Sequence, residues 1–128
     1  TKEDPYVLDG KPVISVNLNN TELDFYDQPI IKDGIIMLPM DEIYTYIGAK
    51  TIDWNNEDKS IAMEYNGNYI YMMLDNKGII VNGESYDMGY PMTMIDDVAY
   101  VPLTAIEMTI TQNVTWNGEQ YRIDINTK

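Results

Sequence analysis

The chain has 128 residues, 45% of them hydrophobic, and its 21 acidic against 8 basic side chains give a formal net charge of −13. Such a charge repels phosphate backbones and anionic lipid head groups, which argues against nucleic acid and membrane surfaces as partners. Cysteine and histidine are both absent, which excludes disulfides, thiolate metal sites and imidazole-based proton transfer.

No apolar run approaches the roughly 20 residues that span a bilayer. Thr1-Lys2-Glu3-Asp4 is no signal peptide, so the chain reads as cytosolic, mature or an excised piece. Residues 1 to 12, polar and carrying Pro5, Gly10 and Pro12, read as a lead-in to a single domain over residues 13–128. Ile14, Val16 and Leu18 alternate with polar residues as in a half-buried strand, and Asn19-Asn20 marks a turn. Lys32-Asp33-Gly34 is a second turn, leading into the apolar strand Ile35 to Leu38.

The period then changes. Pro39 suits the opening of a helix, Asp41 and Glu42 occupy its first turn, and Met40, Ile43, Tyr44 and Ile47 follow helical spacing up to Gly48. Thr51 to Trp54, the turn Asn55 to Asp58, and Ser60 to Tyr65 predict a hairpin. Tyr69 to Leu74 alternates between a face of Ile70, Met72 and Leu74 and a face of Tyr69, Tyr71 and Met73. Ile79 to Val81 and a turn at Asn82-Gly83 follow. Tyr100-Val101-Pro102 then leads into a helix from about Leu103, expected to be the shorter because Thr109-Ile110-Thr111 is β-branched and lacks a glycine stop. Val114 to Trp116, a turn at Asn117-Gly118, and Tyr121 to Ile125 close the chain.

The same signals occur twice. Val16-Asn17, Pro29, Asp33, Leu38-Pro39, Ile43, Ile47, Trp54 and Ile61 recur in order as Val81-Asn82, Pro91, Asp96, Val101-Pro102, Ile106, Ile110, Trp116 and Ile123. Most offsets are 62 or 63 (91 against 29, 102 against 39, 116 against 54), which marks two copies of one unit, about 13–65 and 79–127. The expected fold is α+β: a β-rich antiparallel sheet in two quasi-equivalent halves, with two short helices packed on it. Equivalent positions for Trp54 and Trp116 favour core packing for both.

In their order and doubling these motifs resemble the copper amine oxidase N-terminal-like domain, the "stalk" module of secreted and surface proteins of Gram-positive bacteria. Arginines common in that family after the turn glycine and after the Val-Pro-Leu step are replaced here by Ile35 and Asp41, then by Val98 and Thr104, and Thr111 stands where the first copy has Gly48. The resemblance implies a non-catalytic, extracellular module. Its partners would be other domains of the same protein, surface proteins or cell-wall glycans, and its family name implies no copper in this domain.

For metals, nine methionines are the only soft donors, densest at Met88, Met92 and Met94, and they read as core filler. Asp53, Asn55, Glu57 and Asp58 crowd oxygen donors into one turn and are the calcium candidates, although hairpin turns use the same residues. Ser15, Ser60 and Ser85 have no histidine to activate them, and no cofactor or enzyme activity is expected. Tyr65, Tyr69 and Tyr71 are the candidate ligand-binding residues: a tyrosine stripe on one sheet face can stack on a glycan.

Overall fold

The computed structural model describes residues 14–110 and 113–127 in full and, of residues 1–13, only the backbone of β1 (Val7–Leu8) and β2 (Lys11–Pro12), which pair with each other. The rest of the lead-in segment and Thr111 lie outside the described residues.

β3 (Ser15–Leu18) turns at Asn19-Asn20 into β4 (Thr21–Glu22), and β5 (Ile30–Lys32) turns at Asp33-Gly34 into β6 (Ile35–Pro39). Both turns need two consecutive left-handed residues, with φ of 51 and 69 in the first and 53 and 79 in the second, and Asn, Asp and Gly tolerate this best.

Pro39 closes β6 and caps α1 (Met40–Ile47), where it fixes φ and needs no hydrogen-bond donor. Gly48 ends the helix at φ 94, with its N–H on the Thr45 carbonyl. Met40, Ile43, Tyr44 and Ile47 are the buried positions, as the helical spacing requires.

Five strands follow: β7 (Lys50–Asn55), β8 (Ser60–Tyr65), β9 (Asn68–Met73), β10 (Gly78–Val81) and β11 (Glu84–Asp87). They form an antiparallel meander in the order β11-β10-β9-β8-β7. Then come β12 (Thr93–Ile95), β13 (Val98–Pro102), α2 (Leu103–Ile110), β14 (Val114–Asn117) and β15 (Arg122–Ile125).

The fold is thus α+β, but the strands divide among three larger sheets rather than one. The second sheet runs β12-β13-β6-β5, and the third runs β14-β15-β3-β4 with a parallel β15–β3 junction. A single buried cluster extends from Ile14 to Ile125 and takes in the helix stripes and the inner strand faces. Both helices contact β6 and β13.

Positions that recur in the sequence meet at the centre. Leu38 lies opposite Val101 in the β6–β13 ladder, and neither exposes any surface. Trp54 pairs with Ile61 as Trp116 pairs with Ile123. The hairpin after α2, β14–β15, pairs directly with β3–β4, whereas the hairpin after α1, β7–β8, reaches β10–β11 through the extra strand β9.

Two further expectations are corrected. α2 is not shorter than α1, since each has eight residues. Thr109, unfavourable in an isolated helix, donates its hydroxyl to the Ala105 carbonyl (2.7 Å) and accepts from the buried Tyr44 hydroxyl (2.9 Å), tying one helix to the other. Trp54 is not a core residue: it is 39% exposed on β7, an outer strand whose residues are all exposed and whose register slips between Thr51 and Asp53. Trp116 is half-buried, packs on the core and meets the Tyr121 ring edge-on at 5.7 Å.

Candidate functional site

Tyr69 and Tyr71 share one face of β9 because strand side chains alternate. Across the β8–β9 ladder Tyr69 lies opposite Glu64, and Tyr71 opposite Ala62 with Ile80 on its other side. Tyr69 is 45% exposed and Tyr71 half-buried, an aromatic pair beside a carboxylate on the outer face of the five-stranded sheet. Tyr65 does not join them. The Asn66-Gly67 turn pairs Tyr65 with Asn68, so Tyr65 falls on the face of Ile70 and Met72, is 5% exposed and belongs to the core.

The calcium candidates are largely committed to their own hairpin. Asn55 Oδ1 accepts the Glu57 amide (2.9 Å), Asp58 Oδ1 accepts the Ser60 amide (3.0 Å), and Asp53 lies on β7 two residues before Asn55. Among the described residues no three Asp or Glu side chains converge to hold a metal ion. The three methionines do not gather either: Met88 and Met92 are buried in the apolar core, while Met94 is 41% exposed on β12.

A pocket beside the start of α1 gathers Asp27, Asp41, Glu42 and Asp97. Glu42 accepts the backbone amides of Tyr26 (2.6 Å) and Asp27 (2.9 Å), fixing the loop that precedes β5. Tyr100 donates to the Gln28 carbonyl (2.8 Å). Burial, reinforced by the charges of Asp27, Glu42 and Asp96, pushes its hydroxyl pKa up to about 12.

The richest polar constellation joins β3 to β15. Four residue pairs run in parallel register from Ser15–Arg122 to Leu18–Ile125. Backbone bonds extend the ladder at both ends, Ser15 N–H to Tyr121 O (2.9 Å) and Asn19 N–H to Ile125 O (2.8 Å). Side chains add three more ties. Asn17 donates to Asp124 (3.1 Å), Asn19 donates to the Thr127 hydroxyl (2.9 Å), and Asn19 Oδ1 accepts the Thr127 amide (2.9 Å). Arg122 pairs with Asp124 (3.0 Å) and donates to Gln120 (2.7 Å). Asn17, Asn20, Arg122, Asp124, Ile125 and Asn126 line a groove along this seam.

Sequence spacing missed the seam, because its partners lie more than a hundred residues apart. It also matched Asn17 with Asn82, whereas the counterpart of Asn82 in geometry is Asn19. Both occupy a turn at φ near 50, and Asn82 Oδ1 accepts the Tyr69 amide (2.8 Å) while its Nδ2 donates to Asn68 (2.7 Å).

No curated protein and no solved structure matches the chain. The family model of the copper amine oxidase N-terminal domain matches residues 17–125, from within β3 to the end of β15. The chain therefore belongs to the copper amine oxidase N-terminal domain family, a domain that is non-catalytic in the amine oxidases.

Proposed function

We propose that the chain is a non-catalytic spacer in an exported bacterial surface protein, holding neighbouring domains apart and presenting them. The observation that carries this reading is the parallel pairing of β3 with β15. Two adjacent strands that run the same way put the chain's entry and exit at opposite ends of one ladder. The start of β3 and the end of β15 are thus points of attachment at opposite ends of one axis, which is the geometry of a link in a line. The Leu38–Val101 pairing and the matched registers of the two Trp–Ile pairs support two copies of one unit within one domain.

A second reading, a cell-wall glycan module, is favoured by the exposed Tyr69 ring beside Tyr71. Co-sedimentation with Gram-positive cell walls, with calcium and again with a chelator, separates the two. A spacer shows no saturable binding, and replacing Tyr69 and Tyr71 by alanine changes nothing. Saturable binding lost in that double variant would replace the spacer with the glycan module. Binding abolished by the chelator would instead point to calcium bridging the acidic surface.

A further inference from the structure

We infer that the β3–β15 seam is a mechanical clamp, built to resist tension along the chain by loading its hydrogen bonds in shear. This deepens the spacer reading and depends on it only for the source of the tension. Force arriving through residue 14 pulls β3 backward along its axis, and force leaving through residue 126 pulls β15 forward. Because the strands are parallel and adjacent, these pulls slide one past the other. Every bond across the seam then bears load at once, whereas an antiparallel pair joined by a turn and pulled at its open end gives way one bond at a time.

The seam is built beyond what strand pairing supplies. Its backbone ladder runs from the Ser15 amide to the Asn19 amide, and the Asn17–Asp124 and Asn19–Thr127 side-chain bonds cross the same junction. Val16 and Ile123 face each other in register with no exposed surface, and Ile125 is 1% exposed, so water is kept from the ladder's inner side. β4 and β14 brace the pair on its two outer edges. Resistance to forced unfolding is governed by the unfolding barrier, so ties that must break together slow rupture more than their equilibrium worth indicates.

Asn82 provides an internal control. Its Oδ1 and Nδ2 make side-chain bonds of the same kind as those of Asn19, but to Tyr69 and Asn68 of β9, away from the line between β3 and β15. Glycine fits the positive φ at both positions, so Asn19→Gly and Asn82→Gly remove equivalent bonds without straining the turns.

The test is single-molecule pulling of the full chain in two geometries. In the first, handles are attached at the two termini. In the second, one handle moves to a cysteine introduced as Thr21→Cys, unique because the sequence has none, while the other stays at the C-terminus. Thr21 lies opposite Leu18, so this pull peels β3 from β15 at one end. The clamp predicts a clearly higher rupture force in the first geometry, with release of roughly 400 Å of chain in one step at about 3.6 Å per residue. Asn19→Gly should lower that force and Asn82→Gly should leave it unchanged. Equal forces in the two geometries, or equal losses in the two variants, would overturn the clamp, and the wild-type comparison stands even if a variant fails to fold. Wall binding bears on the spacer reading alone: a chain that bound glycan yet ruptured at high force only end to end would keep the clamp and lose the spacer.

Discussion

Leu38 and Val101 lie directly opposite each other where β6 meets β13, fully buried, at the junction that brings both helices onto one sheet. Leu38→Ala should cost about 2–5 kcal/mol, and Val101→Ala less because it deletes fewer buried carbon atoms. Because the two side chains touch the same space, the double variant should depart from additivity by about 0.5–3 kcal/mol. Urea unfolding of the two single variants and the double variant measures this, and strict additivity would show that the two positions do not share a packing unit.

The Tyr44–Thr109 contact predicts an asymmetry. In Tyr44→Phe, Thr109 retains its bond to Ala105, and the loss should be about 1 kcal/mol. In Thr109→Val, the Tyr44 hydroxyl stays buried with only the distant Ala105 carbonyl (3.5 Å) to meet, and the loss should reach about 1–3 kcal/mol. Denaturant midpoints of the two variants decide the order.

Tyr44 and Tyr100 tie stability to alkaline pH. Burial holds the Tyr44 hydroxyl protonated far above the usual tyrosine range, despite its bond to Thr109, and Tyr100 is pushed up to about 12. A pKa raised in the folded state gives stability that is complete below the unfolded value of 10.0 and falls as pH rises past it. For Tyr100 the loss should run from about pH 10 to about pH 12. Tyr44→Phe and Tyr100→Phe should each flatten the decline of unfolding free energy above pH 10, and an unchanged slope in both would contradict it.

The two tryptophans should report different surroundings. Trp54, exposed on the outer strand β7, should be quenched readily by acrylamide, and Trp54→Phe should shift stability by no more than about 0.5 kcal/mol. Trp116, packed on the core and against Tyr121, should resist quenching and lose more on truncation. Equal quenching of the two single-tryptophan variants would count against this placement.

Local signals were legible in the sequence. The α1 stripe of Met40, Ile43, Tyr44 and Ile47 could be read because helical period, Pro39 and Gly48 all act within one stretch of chain. The faces of β9 could be read for the same reason, since alternation is local. Tyr65 could not be placed that way. A two-residue turn pairs it with Asn68, so odd positions of β8 share a face with even positions of β9. The stripe joining Tyr65 to Tyr69 and Tyr71 assumed the opposite register. The spacing that matches Trp54 with Trp116 predicts core packing for both, but the match extends to the strand pairing and not to the cover, because Tyr121 meets the Trp116 ring. The β3–β15 seam and the insertion of β9 were least legible, since strand order is decided by distant partners competing for the same edges.

Native-state hydrogen exchange at Ser15 and Asn19 tests most directly whether the seam closes the fold. Their amides donate to Tyr121 and Ile125 across the junction. If that junction locks the chain's entry to its exit, both should exchange only through unfolding of the whole fold, with the same opening free energy and denaturant dependence as the most protected amides of β8 and β9. Exchange of Ser15 and Asn19 through a smaller opening, while β8 and β9 stay protected, would show a frayed edge in place of a clamp.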